Sequence, residues 1–549
     1  MVASWLVWCT GYVMWRKELV RQRQRHRERG RRRARKAGRE RGTMKASGET
    51  QTRSGDGAMV AGAGRDIGTG VEGTPSVAAV GAYDTAASVR EESAAVPAGE
   101  VWKTRTVRVA MLAFESLWTD VVGPVADYVC GVSQLLVAKG HEVHVYVRSE
   151  EKKHSSGLAQ EQRPPYELIN GVHVHRVPCA PFDPSDLFDS CGEVCAQLVY
   201  FLGKTEEFMA AHFDVVHALD WMTAHAVINL KLNTTRTCIF HLFSCSRSRN
   251  AARSMRTQGE LPERIMQLEA EAIQHADRVV CATSALCDEL KQAYEFDWEK
   301  LRKASLGVDC EQLFDAHALA PKQRRRLRAE LLNSSEHGHV VFLFAGSMTD
   351  SKGCEELFKS AVSLLLRQNQ RTCRFVFYGR GPWRERLRMR AEQLGLLSRF
   401  LFFFEPPGQG MKPDAVVASD LKRTEPREPT LMQLYHLCDV VCVPSVCEST
   451  HASVLMAWAA RKPVLTSDHA AFLQLVQPSV NGIIVEPNEF GISWGLNELL
   501  AMDPARRAEL GEKGRVVVAF EYSWLRVSEH IMGVYEEVAG PFAYKVQTM

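Results

Sequence analysis

The chain has 549 residues, of which 45% are hydrophobic and 24% charged. That balance excludes a collagen, a mostly disordered chain and a polytopic membrane protein, and leaves room for a large core. The formal net charge of +3 is unevenly spread: 15 Lys and Arg against 3 acidic residues fall in the first 45 positions, so the other 504 carry about −9. The basic excess belongs to a tail, and nucleic-acid binding by the body loses its main support.

Met1–Trp15 is an apolar run of 15 residues, short of the roughly 20 that span a bilayer. Arg16 and Lys17 follow it rather than precede it, against the pattern of a secretory signal. The arginine-dense stretch Arg21 to Arg41 leaves three readings open: an organellar transit peptide, a basic membrane-surface anchor, and a true start at Met44. Residues 46–100 are rich in Gly, Ala, Ser and Thr without an apolar period, and are expected to be a disordered spacer. Residues 1–104 are therefore set apart as a basic, low-complexity extension.

From Val107 the chain alternates between strand and helix patterns. Val107–Phe114, Glu142–Val147, Val172–Val177, Phe213–Ala218, Cys238–Leu242 and Asp277–Thr283 read as strands. Helical spacing follows Gly123-Pro124 and recurs at Glu263–His275. Arg324–Gly338 is charged and rich in turn residues, and the domain junction is placed there. The pattern then restarts with strands at Val340–Ala345, Phe375–Tyr378, Phe400–Phe404, Val440–Val443 and Val464–Thr466. Gly353–Leu366 and Leu431–Leu437 read as helices, and Gly408–Glu428 as an inserted loop, a candidate lid or partner contact. Two successive sets of strand–helix units predict two doubly wound domains whose ligands sit at the carboxyl ends of the strands.

The fifteen cysteines contain no CxxC pair, and Cys191/Cys195 and Cys438/Cys442/Cys447 lack His partners at zinc spacing. They are expected to be buried thiols of a reducing compartment. His173 and His175 alternate on a strand and are read as strand-face residues rather than metal ligands. No metal site is expected.

Several segments stand in a telling order: MLAFES, KGHEVHVYVR, HALDW (His217–Trp221), His241 and Arg247, LGVDCEQLF (Leu306–Phe314), GSMTDSKG, YGRGP, PSVCES, KPVL and the closing SWLRVSEHIMGVYEEV. In this order they resemble the retaining glycosyltransferases of GT-B architecture, the group that includes bacterial and archaeal glycogen synthases, over about Val107 to Val538. The resemblance implies an α/β fold of two Rossmann-like domains facing a cleft: residues 105–322 for the acceptor, 323–522 for a nucleotide sugar, and a helix over 523–541 crossing back to the first domain. It implies hexosyl transfer, glucan synthase-like, from a UDP-, ADP- or GDP-hexose to a carbohydrate or other hydroxyl acceptor, with retention of configuration and no further cofactor. The cytoplasm is the expected location, with organelle targeting or membrane contact through the basic tail as alternatives; no nucleic-acid partner is expected.

By the same resemblance Lys352 holds the diphosphate and Glu448 the donor sugar, as the two catalytic candidates. Gly346, Ser347, Gly379, Gly381, Thr450, His451 and Met456 line the nucleotide side. Gly123, Asp220, His241 and Arg247 line the acceptor side. The donor positions are mixed. The family carries Arg, Gly and Glu where this chain has Ser347, His451 and Met456, and Ala470, Ala471 and Gln474 replace a Gly-Gly pair and a Glu. Ser347 supplies no charge, Met456 cannot accept hydrogen bonds from a ribose diol, and His451 would crowd the phosphates or, if protonated, pair with them. Two readings follow: an active transferase with an altered donor pocket, and a degenerate homologue that binds or scaffolds.

Overall fold

The computed structural model describes residues 106–116, 124–150, 163–180, 182–183, 186–251, 260–315, 319–332, 338–370, 372–404 and 429–540, all within one compact unit, Trp102–Met549. The N-terminal extension, Gly123 and the 408–428 insertion lie outside the described residues.

The first sheet has eight strands: β1 (Arg108–Ala113), β2 (Glu142–Glu150), β3 (Tyr166–Ile169), β4 (Val172–Cys179), β5 (Val215–Leu219), β6 (Cys238–Leu242), β7 (Arg278–Cys281) and β8 (Leu301–Lys303). Their order is β3-β4-β2-β1-β5-β6-β7-β8. Every pairing is parallel except β3 with β4. Parallel strands carry helices on both faces and so read as continuous apolar runs. In β1, Ala110 and Leu112 enter one core, while Val109, Met111 and Ala113 enter the other. The helices of this half are α1 (Pro124–Ala138), α2 (Leu187–Met209), α3 (Ala224–Asn233), α4 (Ser246–Ala251), α5 (Glu260–His275) and α6 (Ser284–Ala293).

After α7 (Pro321–Leu332) the second sheet runs through β9 (Val340–Ala345), β10 (Cys373–Tyr378), β11 (Phe400–Phe403), β12 (Val440–Val443), β13 (Val464–Ser467) and β14 (Gly482–Val485). All its pairings are parallel, in the order β11-β10-β9-β12-β13-β14. Its helices are α8 (Cys354–Arg367), α9 (Trp383–Gln393), α10 (Leu431–Leu437), α11 (Ala452–Ala459), α12 (Ala470–Leu473), α13 (Glu489–Ala501) and α14 (Pro504–Glu521), followed by α15 (Trp524–Ala539). β9 splits its side chains as β1 does, with Val341 and Leu343 in one core and Val340, Phe342 and Phe344 in the other.

Three predicted details change. Arg324–Leu332 is helical rather than a turn-rich junction, because Arg, Leu, Ala and Glu favour a helix and Pro321 starts it. Arg328 ties that helix to Asp439 at 2.5 Å. Strands β3 and β8 are short edge strands with little apolar signal, and β14, also at an edge, is a short buried strand of four residues. The 23-residue helix α2 escaped notice although Cys191, Val194, Cys195, Leu198 and Leu202 are buried at helical spacing. The fourteen described cysteines are all free, and all but Cys287 and Cys447 are buried. His173 and His175 are strand-face residues. His173 Nδ1 lies 2.9 Å from Tyr166 Oη, and His175 Nε2 lies 2.9 Å from His144 Nδ1.

Helix α15 belongs to the first core: Val527, Ile531, Met532, Val534 and Tyr535 are buried with α1 and β1 residues. Tyr535 Oη meets His217 Nδ1 at 2.8 Å, with both side chains fully buried. Tyr535→Phe strips that ring nitrogen of its partner and is expected to cost about 1–3 kcal/mol of unfolding free energy. The readout is a lower urea midpoint at unchanged m-value.

Candidate functional site

Parallel strands deliver their carboxyl ends to one edge, so the loops after β9, β10 and β12 meet there. After β9 the chain turns through Gly346 to an exposed Ser347. Gly346 N donates to Tyr378 O at 3.0 Å and Met348 N to Arg380 O at 2.6 Å, tying this loop to the one after β10. Gly379 has φ +149°, and a Cβ there would stand 1.8 Å from Gly346 O; one at Gly381 would stand 2.3 Å from Met348 O. The close approach that glycine permits here is between two loops of the site.

A short turn over Asp350–Lys352 ends at Gly353, whose φ is +67°. A Cβ at Gly353 would fall 2.1 Å from Pro444 O. Val446 N and Cys447 N donate to Ser351 O at 2.9 and 3.2 Å. This contact brings Lys352 Nζ to 2.6 Å from Glu448 Oε2, which also accepts from Ser445 Oγ at 3.2 Å. The Glu448 side chain is 9% exposed and that of Lys352 28%.

His451 precedes α11 and is buried. Its Nε2 donates to Ala471 O at 3.0 Å, and Nδ1 has no hydrogen-bond partner. Burial pushes its pKa down to about 4. The expectation of an imidazolium pairing with phosphates is thus corrected: at pH 7 the ring is neutral and turned to the α12 backbone. Met456 shares the less buried face of α11 with Ala452 and Ser453 and packs partly against the second core. Thr450 is half-buried beside His451, and Gln474 is exposed.

On the first sheet, Asp220 follows β5 with φ +65°. Its N donates to His241 O at 2.8 Å, and its own carbonyl accepts from Thr223 Oγ1 at 2.8 Å. Burial raises its carboxyl to about 6 against the pull of Arg249, and Oδ1 has no hydrogen-bond partner. Glu115, after β1, accepts from Val125 N at 3.1 Å. Its pKa rises to about 7 through burial and the nearby Asp220 charge. Burial raises Asp127 to about 6. Sequence reasoning passed over Glu115 and Asp127, although Glu115 stands in the MLAFES segment.

His241 was expected on the acceptor wall; the structure corrects this. It is fully buried, 4.3 Å from Phe243 in a stacked pair and 4.8 Å from the Tyr128 ring edge-on. Strand alternation turns it, like His217, toward α1 and α15. Arg247 is exposed and donates to Gln292 O at 3.1 Å. The inward arginine is Arg249, which the sequence reading missed. Its Nη2 donates to Glu269 Oε1 at 3.0 Å, and its guanidinium lies 5.2 Å from the Trp221 ring centre. Glu269, fully buried, also accepts from Ser246 N at 2.9 Å and from Tyr294 Oη.

The two sheets' loops touch at this edge. Cys447 Sγ donates to Ser248 O at 3.6 Å, and Thr283 Oγ1 donates to Ser449 O at 3.3 Å. The segment that carries Glu448 therefore lies against α4 and the start of α6. Among the described residues, no group of three or more His, Cys, Asp and Glu could hold a metal ion. None of the described helices is long and apolar enough to cross a membrane.

Glu269→Ala leaves Arg249 without its buried counter-charge and is expected to destabilise the chain by about 3–5 kcal/mol. Arg247→Ala is expected to stay within about 0.5 kcal/mol, both read by urea denaturation. The folded pKa of His451 lies below its unfolded value of 6.5. Its contribution to stability is therefore complete above pH 6.5 and lost as pH falls toward about 4. His451→Gln should flatten the acid side of the stability profile over that window.

Two family models match the chain, one described as Glycosyl transferases group 1 over residues 339–501 and one as Glycosyltransferase Family 4 over residues 125–312. The chain is 26% identical to an uncharacterised glycosyltransferase of Methanocaldococcus jannaschii, over 78% of this chain and 98% of that protein. It is 25% identical to a D-inositol 3-phosphate glycosyltransferase of Saccharomonospora viridis, over 79% and 95%. The sucrose-phosphate synthase structure from Thermosynechococcus elongatus superposes with a TM-score of 0.61 at 17% identity, over 78% of this chain and 98% of that one. The catalytic domain of starch synthase IV from Arabidopsis thaliana, bound to ADP and acarbose, gives 0.57 at 15% identity, over 80% and 100%. With two α/β halves built on parallel sheets and matched in turn by these models, the chain has the GT-B architecture and is a transferase similar to the group 1 glycosyltransferases.

Proposed function

We propose that the protein transfers a hexosyl group, glucose in the first instance, from a nucleotide sugar to a carbohydrate or other hydroxyl acceptor with retention of configuration. The observation that carries this reading is the Lys352–Glu448 pair, 2.6 Å apart at the carboxyl edge of the second sheet and opposite the first. As bonds to the sugar loosen, negative charge grows on the departing diphosphate, and Lys352 is the cation set to meet it. Glu448, released from Lys352, accepts hydrogen bonds from donor-sugar hydroxyls. Residues 105–322 then form the acceptor domain, 323–522 the donor domain, and 523–541 the helix that closes back on the first.

On the acceptor side, Glu115 and Asp220, raised to about 7 and about 6 by burial, exchange protons near neutrality and suit hydroxyl recognition. The starch synthase IV structure is of a protein bound to ADP and acarbose. That supports a nucleotide diphosphate and a glucan-like chain as the first ligands to try.

The test is thermal unfolding of the full chain with UDP, ADP, GDP and their glucose conjugates. A ligand at 100 times its Kd adds about 2.7 kcal/mol and raises Tm. Stabilisation by one nucleotide names the base; stabilisation by none favours the degenerate reading. Where turnover is found, Lys352→Ala is expected to lower kcat about a hundredfold. NMR of the product should show the donor's anomeric configuration, and an inverted product would overturn retention.

A further inference from the structure

Glu448 stands in the loop between β12 and α11, and that loop is held from both halves of the chain. Within the second half, Val446 N and Cys447 N donate to Ser351 O at 2.9 and 3.2 Å, and His451 Nε2 donates to Ala471 O at 3.0 Å. The first half holds the residues on either side of Glu448. Cys447 Sγ donates to Ser248 O at 3.6 Å, and Ser449 O accepts from Thr283 Oγ1 at 3.3 Å. A thiol is a weak donor, so the hydroxyl makes the stronger of these two contacts.

Thr283 stands between β7 and α6 and is the N-cap of that helix. Its hydroxyl accepts from Leu286 N at 3.0 Å. A hydroxyl has one proton and two lone pairs. The cap uses a lone pair and leaves the proton for Ser449 O. Thr283 is 1% exposed, so bulk water cannot take over either bond. The cap fixes the side chain within the first half, and the same side chain then fixes the carbonyl of the residue after Glu448.

We propose that Thr283 is a positioning residue for the donor sugar, acting through Ser449 O to hold Glu448 where it accepts from sugar hydroxyls. This rests on the transferase reading above, in which Glu448 holds the sugar and Lys352 the diphosphate. It adds a residue of the acceptor domain to recognition of the donor. The loop of Lys352 is held through Ser351 O within the second half, so loss of the Thr283 hydroxyl acts on the sugar and spares the diphosphate.

The test is calorimetric titration of the full chain with UDP, ADP and GDP and with their glucose conjugates. The readout, for the nucleotide that the wild type binds, is the Kd of the free diphosphate divided by that of its conjugate. Thr283→Val keeps the shape of the side chain without its hydroxyl. Thr283→Gly also lacks the hydroxyl but keeps most of the capping, because glycine costs little at an N-cap. In both variants the ratio is expected to fall about threefold or more, as for one lost hydrogen bond, with the Kd of the free diphosphate within about twofold of wild type. Thr283→Ser keeps both bonds and should restore the wild-type ratio. Asp503 caps α14, accepting from Arg506 N at 2.8 Å; Asp503→Ala should lower Tm and leave the ratio unchanged. A fall of less than about threefold in both Thr283→Val and Thr283→Gly overturns the proposal and leaves the transferase reading intact. An equal fall in Asp503→Ala also overturns it, since general loss of stability then accounts for the effect. So does a wild type that binds a diphosphate but not its conjugate. A wild type that binds none of these ligands overturns the transferase reading and this proposal with it.

Discussion

The arrangement of the carboxyl edge of the second sheet depends on one close contact, that of Gly353 with the Pro444 carbonyl. β9 and β12 are neighbours in the second sheet although about a hundred residues separate them in the chain. Their following loops therefore leave the sheet side by side. A Cβ at Gly353 would fall 2.1 Å from the Pro444 oxygen, and the residue holds φ +67°. Only glycine meets both demands without strain. With the two loops in contact, Ser351 O can accept from Val446 N and Cys447 N, and Lys352 and Glu448 are held within ion-pair distance.

The first sheet presents a different electrostatic surface at the facing edge. Its groups are carboxyls whose pKa burial raises: Glu115, Asp127 and Asp220. Glu269, also fully buried, accepts from Arg249, Ser246 N and Tyr294 Oη. Those donors replace the water it lost and hold α4 against the rest of the sheet. Through α4, Ser248 O reaches Cys447 Sγ beside Glu448. Glu269 is thus linked through α4 to the Lys352–Glu448 pair.

Much of this was legible in the sequence. Buried parallel strands announce themselves as unbroken apolar runs, and Cys238–Leu242, Val340–Ala345 and Val440–Val443 were read with the bounds they have. Lys352 and Glu448 could be singled out only through the family resemblance, since neither apolar period nor spacing marks them. Edge strands such as β3, whose residues are only partly buried, give little apolar contrast. Side-chain direction was the least legible property. Arg247 and Arg249 differ by two positions, which on a helix is enough to send one to solvent and the other to Glu269. His241 was read as facing the cleft, but its strand parity turns it into the core.

The sequence by itself determined that two strand–helix sets follow one another, and which family they resemble. These properties are local, set by residue type and by period along the chain. Only the tertiary structure decided that Lys352 is paired with Glu448 and that His451 is buried and bonded to Ala471 O. Each depends on which strands are neighbours and on how deeply a group is removed from water. Strand order and desolvation are properties of the folded chain as a whole, and no short window of residues encodes them.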